Sequence, residues 1–136
     1  MMKPIFPAVK AVIIHNGKFL VLKKTDVEGD VWELPGGRME FGETKGEALF
    51  REVQEETGLQ VQPFILYDTW EFFQPEYQIT GVIYLCEKPE GEVRLSSEHQ
   101  AYEWFPLEAS SLERMDVVFA SRMVRWDFEA IQGFMA

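Results

Sequence analysis

Three things are scarce in this 136-residue sequence: cysteine, long apolar runs and basic residues. The one cysteine, Cys86, cannot form a disulfide within the chain, and its apolar neighbours at residues 81–85 predict a buried strand position. No apolar run approaches the ~20 residues that cross a bilayer, and the first ten residues lack the apolar stretch and cleavage site of a signal peptide. We therefore expect a cytoplasmic protein that does not insert into membranes.

Acidic residues outnumber basic ones, 23 against 13, and give a formal net charge of −10 at pH 7. Such a charge repels a polyanion at long range, so broad binding of nucleic acid is not expected. A small anionic ligand can still bind if the site supplies local positive charge, for example divalent cations that bridge carboxylates to phosphate oxygens. The charge balance therefore directs attention to clusters of carboxylates.

The length and composition of the chain suit one folded domain. Hydrophobic residues make up 46% of the sequence and charged residues 26%, which is usual for a globular domain. No internal repeat, low-complexity tract or linker interrupts the sequence, and 136 residues are few for two domains. We predict a single domain spanning residues 1–136.

Turn and cap signals divide the chain into short elements. Asn16-Gly17 separates two apolar runs and predicts an antiparallel hairpin. Pro35-Gly36-Gly37 predicts a tight turn after a short strand at residues 31–34. Helix-favouring residues, followed by Gly58 as a C-terminal cap, predict a helix at residues 44–57. Further strands are predicted at residues 61–67, 70–73, 79–86 and 101–105, and a helix that packs on the sheet at residues 115–134.

The helix predicted at residues 44–57 carries three glutamates on one side. A helical wheel places its apolar side chains on one arc and Glu52, Glu55 and Glu56 on the opposite arc. Like charges at this spacing destabilise an exposed helix by ~0.2–0.5 kcal/mol per pair. A hard divalent cation such as Mg²⁺ would offset the repulsion, because it prefers carboxylate oxygens as ligands. The wheel alone does not decide between a metal platform and a solvated acidic face.

The wider stretch, residues 37–59, resembles the Nudix box at every defined position. It reads GRMEFGETKGEALFREVQEETGL. The Nudix pattern is a glycine, five free residues, a glutamate, seven free residues, Arg-Glu, an aliphatic residue, one free residue, Glu-Glu, one free residue, a glycine and an aliphatic residue. Nine defined positions in 23 residues are far more specific than a lone glycine motif, and the chain is identified as a member of the Nudix family. The nine positions are Gly37, Glu43, Arg51, Glu52, Val53, Glu55, Glu56, Gly58 and Leu59.

The resemblance implies a fold and a reaction. The implied fold is α+β, an α/β/α sandwich with a mixed β-sheet. The implied reaction is hydrolysis of a nucleoside diphosphate linked to another moiety, in which water cleaves a phosphoanhydride bond and Mg²⁺, or Mn²⁺, is the cofactor. The expected partner is a small nucleotide substrate, and the resemblance also allows a homodimer, which no sequence feature decides.

The resemblance also assigns roles to residues of the box. It implies that Glu52, Glu55 and Glu56 ligate the metal, directly or through water, with the backbone carbonyl of Gly36 or Gly37 as a further ligand. It implies that either Glu52 or Glu55 deprotonates the attacking water, and these two remain alternatives.

Arg51 and Glu98 complete the predicted catalytic set. Arg51 lies beside the acidic arc, where a charge-assisted hydrogen bond to Glu43 or Glu55 would orient these carboxylates; the alternative is a surface ion pair. Glu98 falls in a predicted loop before a strand, where many Nudix enzymes carry a further catalytic or metal-binding glutamate. The neighbouring His99 is expected to be a plain loop residue.

The sequence does not decide the substrate. Pro75, sixteen residues beyond Leu59, resembles the mark of ADP-ribose-acting members, whereas Tyr77, at eighteen, resembles that of dinucleoside polyphosphate-acting ones. A Nudix-fold module that binds a nucleotide without hydrolysing it is the alternative to an enzyme. Several aromatic residues could stack on a base, although such residues are more often core, and several basic residues could meet phosphates: Trp70, Phe72, Phe73 and Tyr77, and Lys23, Lys24 and Arg38.

Overall fold

The computed structural model describes residues 2–135. In chain order the elements are β1 (Ile5–His15), β2 (Lys18–Lys24), β3 (Gly36–Arg38), α1 (Lys45–Thr57), β4 (Ile65–Phe73), β5 (Gln78–Glu87), β6 (His99–Pro106), a 3₁₀ helix (Ala109–Arg114), α2 (Val117–Met123) and α3 (Phe128–Phe134). The strands form one sheet in the order β4-β5-β1-β2-β6, and β3 also pairs with β1. The β1–β5 pair is parallel and the other pairs are antiparallel, so the sheet is mixed, as expected.

The central strand is β1, and its two ends have different neighbours. At its C-terminal end the predicted hairpin is confirmed, because Asn16 and Gly17 adopt φ angles of 52° and 73° and Ile14 pairs with Phe19. Its N-terminal half pairs with β3 instead of β2. The other edge of β1 runs parallel to β5 from residue 5 to residue 14. This central position brings residues from distant parts of the chain to β1.

Helices cover both faces of the sheet, which confirms the α/β/α sandwich. On one face α1 packs Leu49 and Val53 against aliphatic residues of β1 and β2. On the opposite face α2 and α3 pack Phe119, Met123 and Ile131 against a cluster rich in aromatic side chains. Cys86 is fully buried in β5, as predicted, and burial raises the pKa of its thiol to about 12. No helix within residues 2–135 is long and apolar enough to span a membrane.

Three predictions about strands and turns between residues 31 and 73 were wrong. Residues 31–34 form only isolated bridges, Leu22 with Glu33 and Trp32 with Met115. The expected turn at Pro35-Gly36-Gly37 instead begins β3, because the Gly36 backbone at a φ of 133° lies directly against β1. Residues 61–67 and 70–73 are not two strands, since β4 is continuous from residue 65 and only a bulge interrupts its register near residue 67.

The C-terminal helix predicted at residues 115–134 was also wrong, because the segment contains two helices. The side chain of Asp116 accepts a hydrogen bond from the Val118 amide at 2.9 Å and begins α2. The side chain of Asp127 accepts one from the Ala130 amide at 3.0 Å and begins α3. Each aspartate satisfies backbone donors that a helix start leaves free, so each begins a new helix.

Candidate active site

Helix α1 is fixed at both ends and aims its glutamates at β3. Thr44 and Glu47 form a reciprocal capping box at the start, and Gly58 adopts the left-handed conformation at the end. Because Leu49 and Val53 face the sheet, Glu52 lies one turn before Glu56 along the edge of the helix beside β3. The wheel prediction that all three glutamates lie opposite the apolar arc was wrong for Glu56, which is buried.

The two glycines of β3 contact two of the glutamates of α1, Glu52 and Glu56. The Gly36 amide donates a hydrogen bond to Glu56 Oε1 at 2.8 Å. A Cβ on Gly37 would lie 2.5 Å from Glu52 Oε2, and a Cβ on Gly36 would lie 2.1 Å from the Val9 carbonyl oxygen. A side chain at Gly36 would clash with the backbone of β1, and one at Gly37 would displace the Glu52 carboxylate, so both glycines allow the observed contact of α1, β3 and β1.

Arg51 is the centre of an ion-pair network at the rim of this contact. Its guanidinium donates to both Glu43 oxygens, at 2.6 and 2.9 Å, and to Glu52 Oε1 at 2.9 Å. Its contact with Glu55 is longer, 3.4 Å, and Glu55 is exposed. The hydrogen bonds from Arg51 hold the pKa of Glu43 at about 2. Arg51 therefore holds the Glu43 and Glu52 carboxylates in defined orientations, while Glu55 reaches solvent.

Burial raises the pKa of the two inner glutamates. Desolvation raises the pKa of Glu56 to about 7, although Lys10 and the Gly36 amide oppose the shift. Desolvation also raises the pKa of Glu52, against the opposing effect of Arg51. Both shifts show that the buried carboxylates lack sufficient positive charge around them, a deficit that a bound cation would relieve.

Glu98 approaches Glu56 from the opposite side of the cleft. It lies in a turn before β6, as predicted, and the turn is tied to Thr25 by hydrogen bonds to the Glu98 and Ser97 carbonyl oxygens, at 3.0 and 2.8 Å. Ligand atoms of Glu56, Glu98 and His99 all lie within 4.8 Å of one another. The turn therefore adds a third carboxylate to those supplied by α1.

The expectation that His99 is a plain loop residue was wrong. His99 is the first residue of β6, it is buried, and its Nε2 is 2.8 Å from Glu33 Oε2. The available sequence signal was that His99 follows Glu98 and begins a strand, where successive side chains point to opposite faces. Lys10 and Glu33 were also not anticipated. They line the cleft and form a largely buried ion pair, with 3.5 Å between Nζ and Oε1.

Glu33 is a charged hub in this buried region. Burial alone would raise its pKa, but the Lys10 ammonium and the hydrogen bond with His99 outweigh burial and lower the pKa to about 2. Lys24 approaches the same carboxylate at 4.0 Å. A lysine at position 10 inside an otherwise apolar strand was the sequence signal for this hub, since buried charges require partners.

Two adjoining cavities open at these residues. The larger, an acidic cleft of about 550 Å³, is lined by Glu52, Glu56 and Glu98 with Gly36 and Gly37. The smaller, an apolar pocket of about 160 Å³, lies on the α2 side of the sheet. Both cavities share five lining residues and so adjoin each other: Lys10, Lys24, Glu33, Gly37 and Arg38. The apolar pocket is further lined by Ala8, Trp70, Phe72, Ile79, Asp116, Val118 and Phe119.

The predicted base-stacking and phosphate-binding residues differ in whether they line these cavities. Trp70 and Phe72 line the apolar pocket, whereas Phe73 points outward and is exposed. Tyr77 packs against Arg38, whose guanidinium carbon lies 5.2 Å from the ring centroid. Lys24 and Arg38 line both cavities, and Lys23 lines neither of them.

The donor set of the acidic cleft fits a hard divalent cation. Its donors are carboxylate oxygens and the backbone carbonyl of Gly36, which are the ligand types that Mg²⁺ and Mn²⁺ prefer. Ligand atoms of Glu56, Glu98 and His99 lie within 4.8 Å of one another, close enough to contact a single ion. The raised pKa of the buried Glu56 is consistent with a carboxylate that requires a positively charged partner.

Comparison with known proteins agrees with this geometry. A family model described as the NUDIX domain matches residues 4–127. This chain belongs to the NUDIX family. It is 43% identical over 94 residues to the 8-oxo-dGTP diphosphatase of Escherichia coli K12, covering 68% of this chain and 72% of that protein. It is 32% identical over 111 residues to the asymmetrical bis(5'-nucleosyl)-tetraphosphatase of Rattus norvegicus, covering 76% and 75%.

The NUDIX fold is also shown by a solved structure. The MutT protein of Methanosarcina mazei Go1 superposes with a TM-score of 0.83 at 29% identity, over 97% of this chain and 98% of that one. NUDIX hydrolases act on acid anhydrides of nucleoside diphosphate derivatives and generally use a divalent metal. The chain is therefore a NUDIX pyrophosphohydrolase, and the enzyme class predicted from the sequence is confirmed.

Proposed function

We propose that this hydrolase cleaves a phosphoanhydride bond of a small nucleotide in the acidic cleft, with Mg²⁺ as cofactor and Mn²⁺ as a substitute. One observation supports the proposal above all: Glu52 and Glu56 from α1 and Glu98 from the turn before β6 line the same cleft. The overall charge of −10 would repel a polyphosphate, and bound cations would offset this repulsion at the cleft.

The carboxylates and one backbone group would hold the cation. We propose Glu52, Glu56 and the Gly36 carbonyl as ligands at the floor of the cleft, and Glu55 as a ligand from its exposed rim. A bound Mg²⁺ neutralises charge on phosphate oxygens and lowers the pKa of a coordinated water. Gly37 contributes by leaving room for the Glu52 carboxylate at the point where a Cβ would displace it.

The remaining polar residues would orient the site and move a proton. Arg51 would hold Glu52 in position through the 2.9 Å hydrogen bond, with Glu43 fixing the guanidinium from its other side. We propose Glu52, Glu55 and Glu98 as the candidates for the base that accepts the proton of the attacking water. A ligand oxygen of Glu98 lies within 4.8 Å of one of Glu56, so a cation held at Glu56 would also be within reach of Glu98.

The apolar pocket supports a substrate with one nucleobase beside the phosphates. Trp70, Phe72 and Phe119 give it aromatic walls, and it opens into the cleft through shared residues. The names of the two relatives point to nucleoside triphosphates, including oxidised ones, and to dinucleoside polyphosphates. We propose these two classes as the first substrates to test, with ADP-ribose and nucleotide sugars as the next.

A hydrolysis screen over these compounds, with Mg²⁺ and with Mn²⁺, tests the proposal. Product identity shows which phosphorus water attacks. Glu52→Gln and Glu56→Gln should each lower turnover by about 10²–10³-fold on the best substrate, because each removes a charged ligand from the cation that stabilises the transition state.

Glu90→Gln, in the exposed turn after β5, is the matched control and should turn over like the wild type. Circular dichroism would check that each variant folds. A wild-type rate in both cleft variants, or full activity of the wild type in EDTA, would refute the assigned roles.

A further inference from the structure

Lys10 is a buried lysine in the middle of a strand that is otherwise apolar from residue 8 to residue 14. It is 7% exposed, and its neighbours Val9 and Ala11 are fully buried. A buried ammonium loses its hydration and its side-chain freedom, and it is tolerated only with compensating partners. Such a residue in the centre of the sheet therefore requires a physical explanation beyond packing.

The hydrogen-bond partners of Lys10 compensate its charge only in part. Its Nζ donates to the Leu34 carbonyl at 3.0 Å and to the Gly36 carbonyl at 3.3 Å, and both acceptors are neutral. Within residues 2–135 its ion-pair partner is Glu33, at 3.5 Å, and that carboxylate has a closer contact with His99 at 2.8 Å and a longer one with Lys24. The Lys10 charge also lowers the pKa of Glu56, against the larger effect of burial. Glu33 thus serves several partners, and part of the Lys10 charge remains available to the cavities.

Lys10 lies where the two cavities adjoin. It lines both the acidic cleft and the apolar pocket, and its Nζ is 5.5 Å from the centroid of the Phe119 ring. A nucleotide with its base in the pocket and its phosphates in the cleft must pass this ammonium. The Gly36 carbonyl, which we assign to the metal, is shared with the same ammonium.

We propose that Lys10 is a substrate-positioning residue, a fixed positive charge that disfavours a metal ion alone and favours the metal together with a nucleotide phosphate. The inference depends on the proposed function for the identity of the phosphate. The physical basis is that the Lys10 ammonium interacts oppositely with the two ligands. It repels a divalent cation bound to the Gly36 carbonyl, and it attracts a phosphate oxygen that enters beside it. The two effects therefore have opposite directions when the charge is removed.

Lys10→Met, which keeps a long side chain and removes the charge, tests this by isothermal titration calorimetry. With Mn²⁺ as the only ligand, K10M should bind about tenfold more tightly than the wild type. With AMP or GMP as the titrant, at saturating Mn²⁺, K10M should bind about tenfold more weakly, and adenosine or guanosine should bind both proteins equally. A tenfold change in Kd is large enough to measure reliably.

A purely structural role gives a different result. If Lys10 only maintains the shape of the cleft, K10M should bind Mn²⁺, the nucleotide and the nucleoside all more weakly than the wild type does. Either that pattern or unchanged affinities overturns the proposal. Binding of Mn²⁺ and of product nucleotide is measured without turnover, so a wild type that hydrolyses no substrate in the screen would refute the proposed function while leaving this test to stand on its own.

Glu33→Gln supplies the matched control, because it removes the carboxylate partner and leaves the ammonium. If Lys10 served only to neutralise Glu33, the double variant K10M/E33Q would recover wild-type affinities. If Lys10 acts on the ligands, the double variant should bind Mn²⁺ more tightly and AMP more weakly than E33Q does. If K10M alone fails to fold, the comparison of E33Q with K10M/E33Q replaces the first test, since the double variant removes both members of the Lys10–Glu33 ion pair.

Discussion

The two faces of the central sheet are built from different kinds of side chain. Under α1 the sheet presents aliphatic residues, and the helix brings carboxylates held by Arg51 to the edge of β3. Under α2 and α3 it presents aromatic residues in edge-to-face pairs, such as Trp70 with Phe119 at 5.3 Å. The acidic cleft belongs mainly to the first face and the apolar pocket to the second. We therefore expect that substitutions on the two faces alter phosphate chemistry and base binding separately.

The most direct way to break the α1 side is Gly37→Ala. The added Cβ would lie 2.5 Å from Glu52 Oε2, and because this oxygen ends a flexible side chain, the carboxylate moves while the fold remains. We expect a loss of about 10³-fold in kcat, or about 4 kcal/mol, with little change in the free energy of unfolding. Steady-state kinetics and urea unfolding measure the two quantities. A variant that keeps its activity would show that the position of Glu52 is not critical.

Glu33→Gln tests the charged hub between the two faces. The folded-state pKa of Glu33, about 2, lies below the ordinary value of 4.5, so its charge stabilises the folded protein above pH ~5, and this contribution is lost as the pH falls from 4.5 towards 2. We expect E33Q to be less stable than the wild type by about 3 kcal/mol at neutral pH and the difference to shrink in acid. Urea unfolding at several pH values measures it; a difference independent of pH would contradict the ion-pair account.

Phe72→Ala tests the aromatic side with a neighbour as its control. Phe72 lines the apolar pocket, whereas Phe73 points to the other face of β4 and is exposed. We expect F72A to raise KM about tenfold and to change kcat by no more than about twofold, because the ring contacts the base and not the reacting atoms. F73A should behave like the wild type. Equal effects of both variants, or a fall in kcat alone, would contradict the assignment of base binding to the face under α2 and α3.

Gly46→Ala should have the smallest effect, and it sharpens the contrast with Gly37. Gly46 lies in the first turn of α1, and an added Cβ would meet only Pro63 Cγ, at 3.9 Å. Alanine restricts the unfolded chain more than glycine does, so we expect a gain of about 0.5 kcal/mol in the free energy of unfolding and unchanged kinetics. Loss of activity in G46A would mean that glycines of the box act through helix flexibility instead of contact with Glu52.

The parts of the fold that could be predicted are those specified by neighbouring residues. Asn16-Gly17 determines a hairpin locally, and residues 44–58 contain both a helix start and a glycine stop. The box motif identified the carboxylates that α1 brings to the cleft, and the loop position of Glu98 was also anticipated. These predictions needed no knowledge of distant contacts.

The features that were missed depend on partners far along the chain. The strand at Gly36 exists because β1 lies against it, and the partner of Gly36, Lys10, is about 26 residues earlier in the sequence. The burial of His99 depends on Glu33, 66 residues away, and that of Lys10 on the carbonyl groups at residues 34 and 36. A turn signal or a lone basic residue cannot show which distant group will approach it, so local reasoning gave a turn and a loop residue instead.

The parallel pairing of β1 with β5 has a consequence for how the protein is made. The two strands are about 70 residues apart, and the site lies on β1, β3, α1 and the turn before β6, on the sheet that β4 and β5 extend. Contacts between such distant segments form slowly, because the intervening chain must close first. A nascent chain that has emerged from the ribosome only as far as α1 would carry the whole box motif without a finished cleft, so catalytic competence arrives late in synthesis.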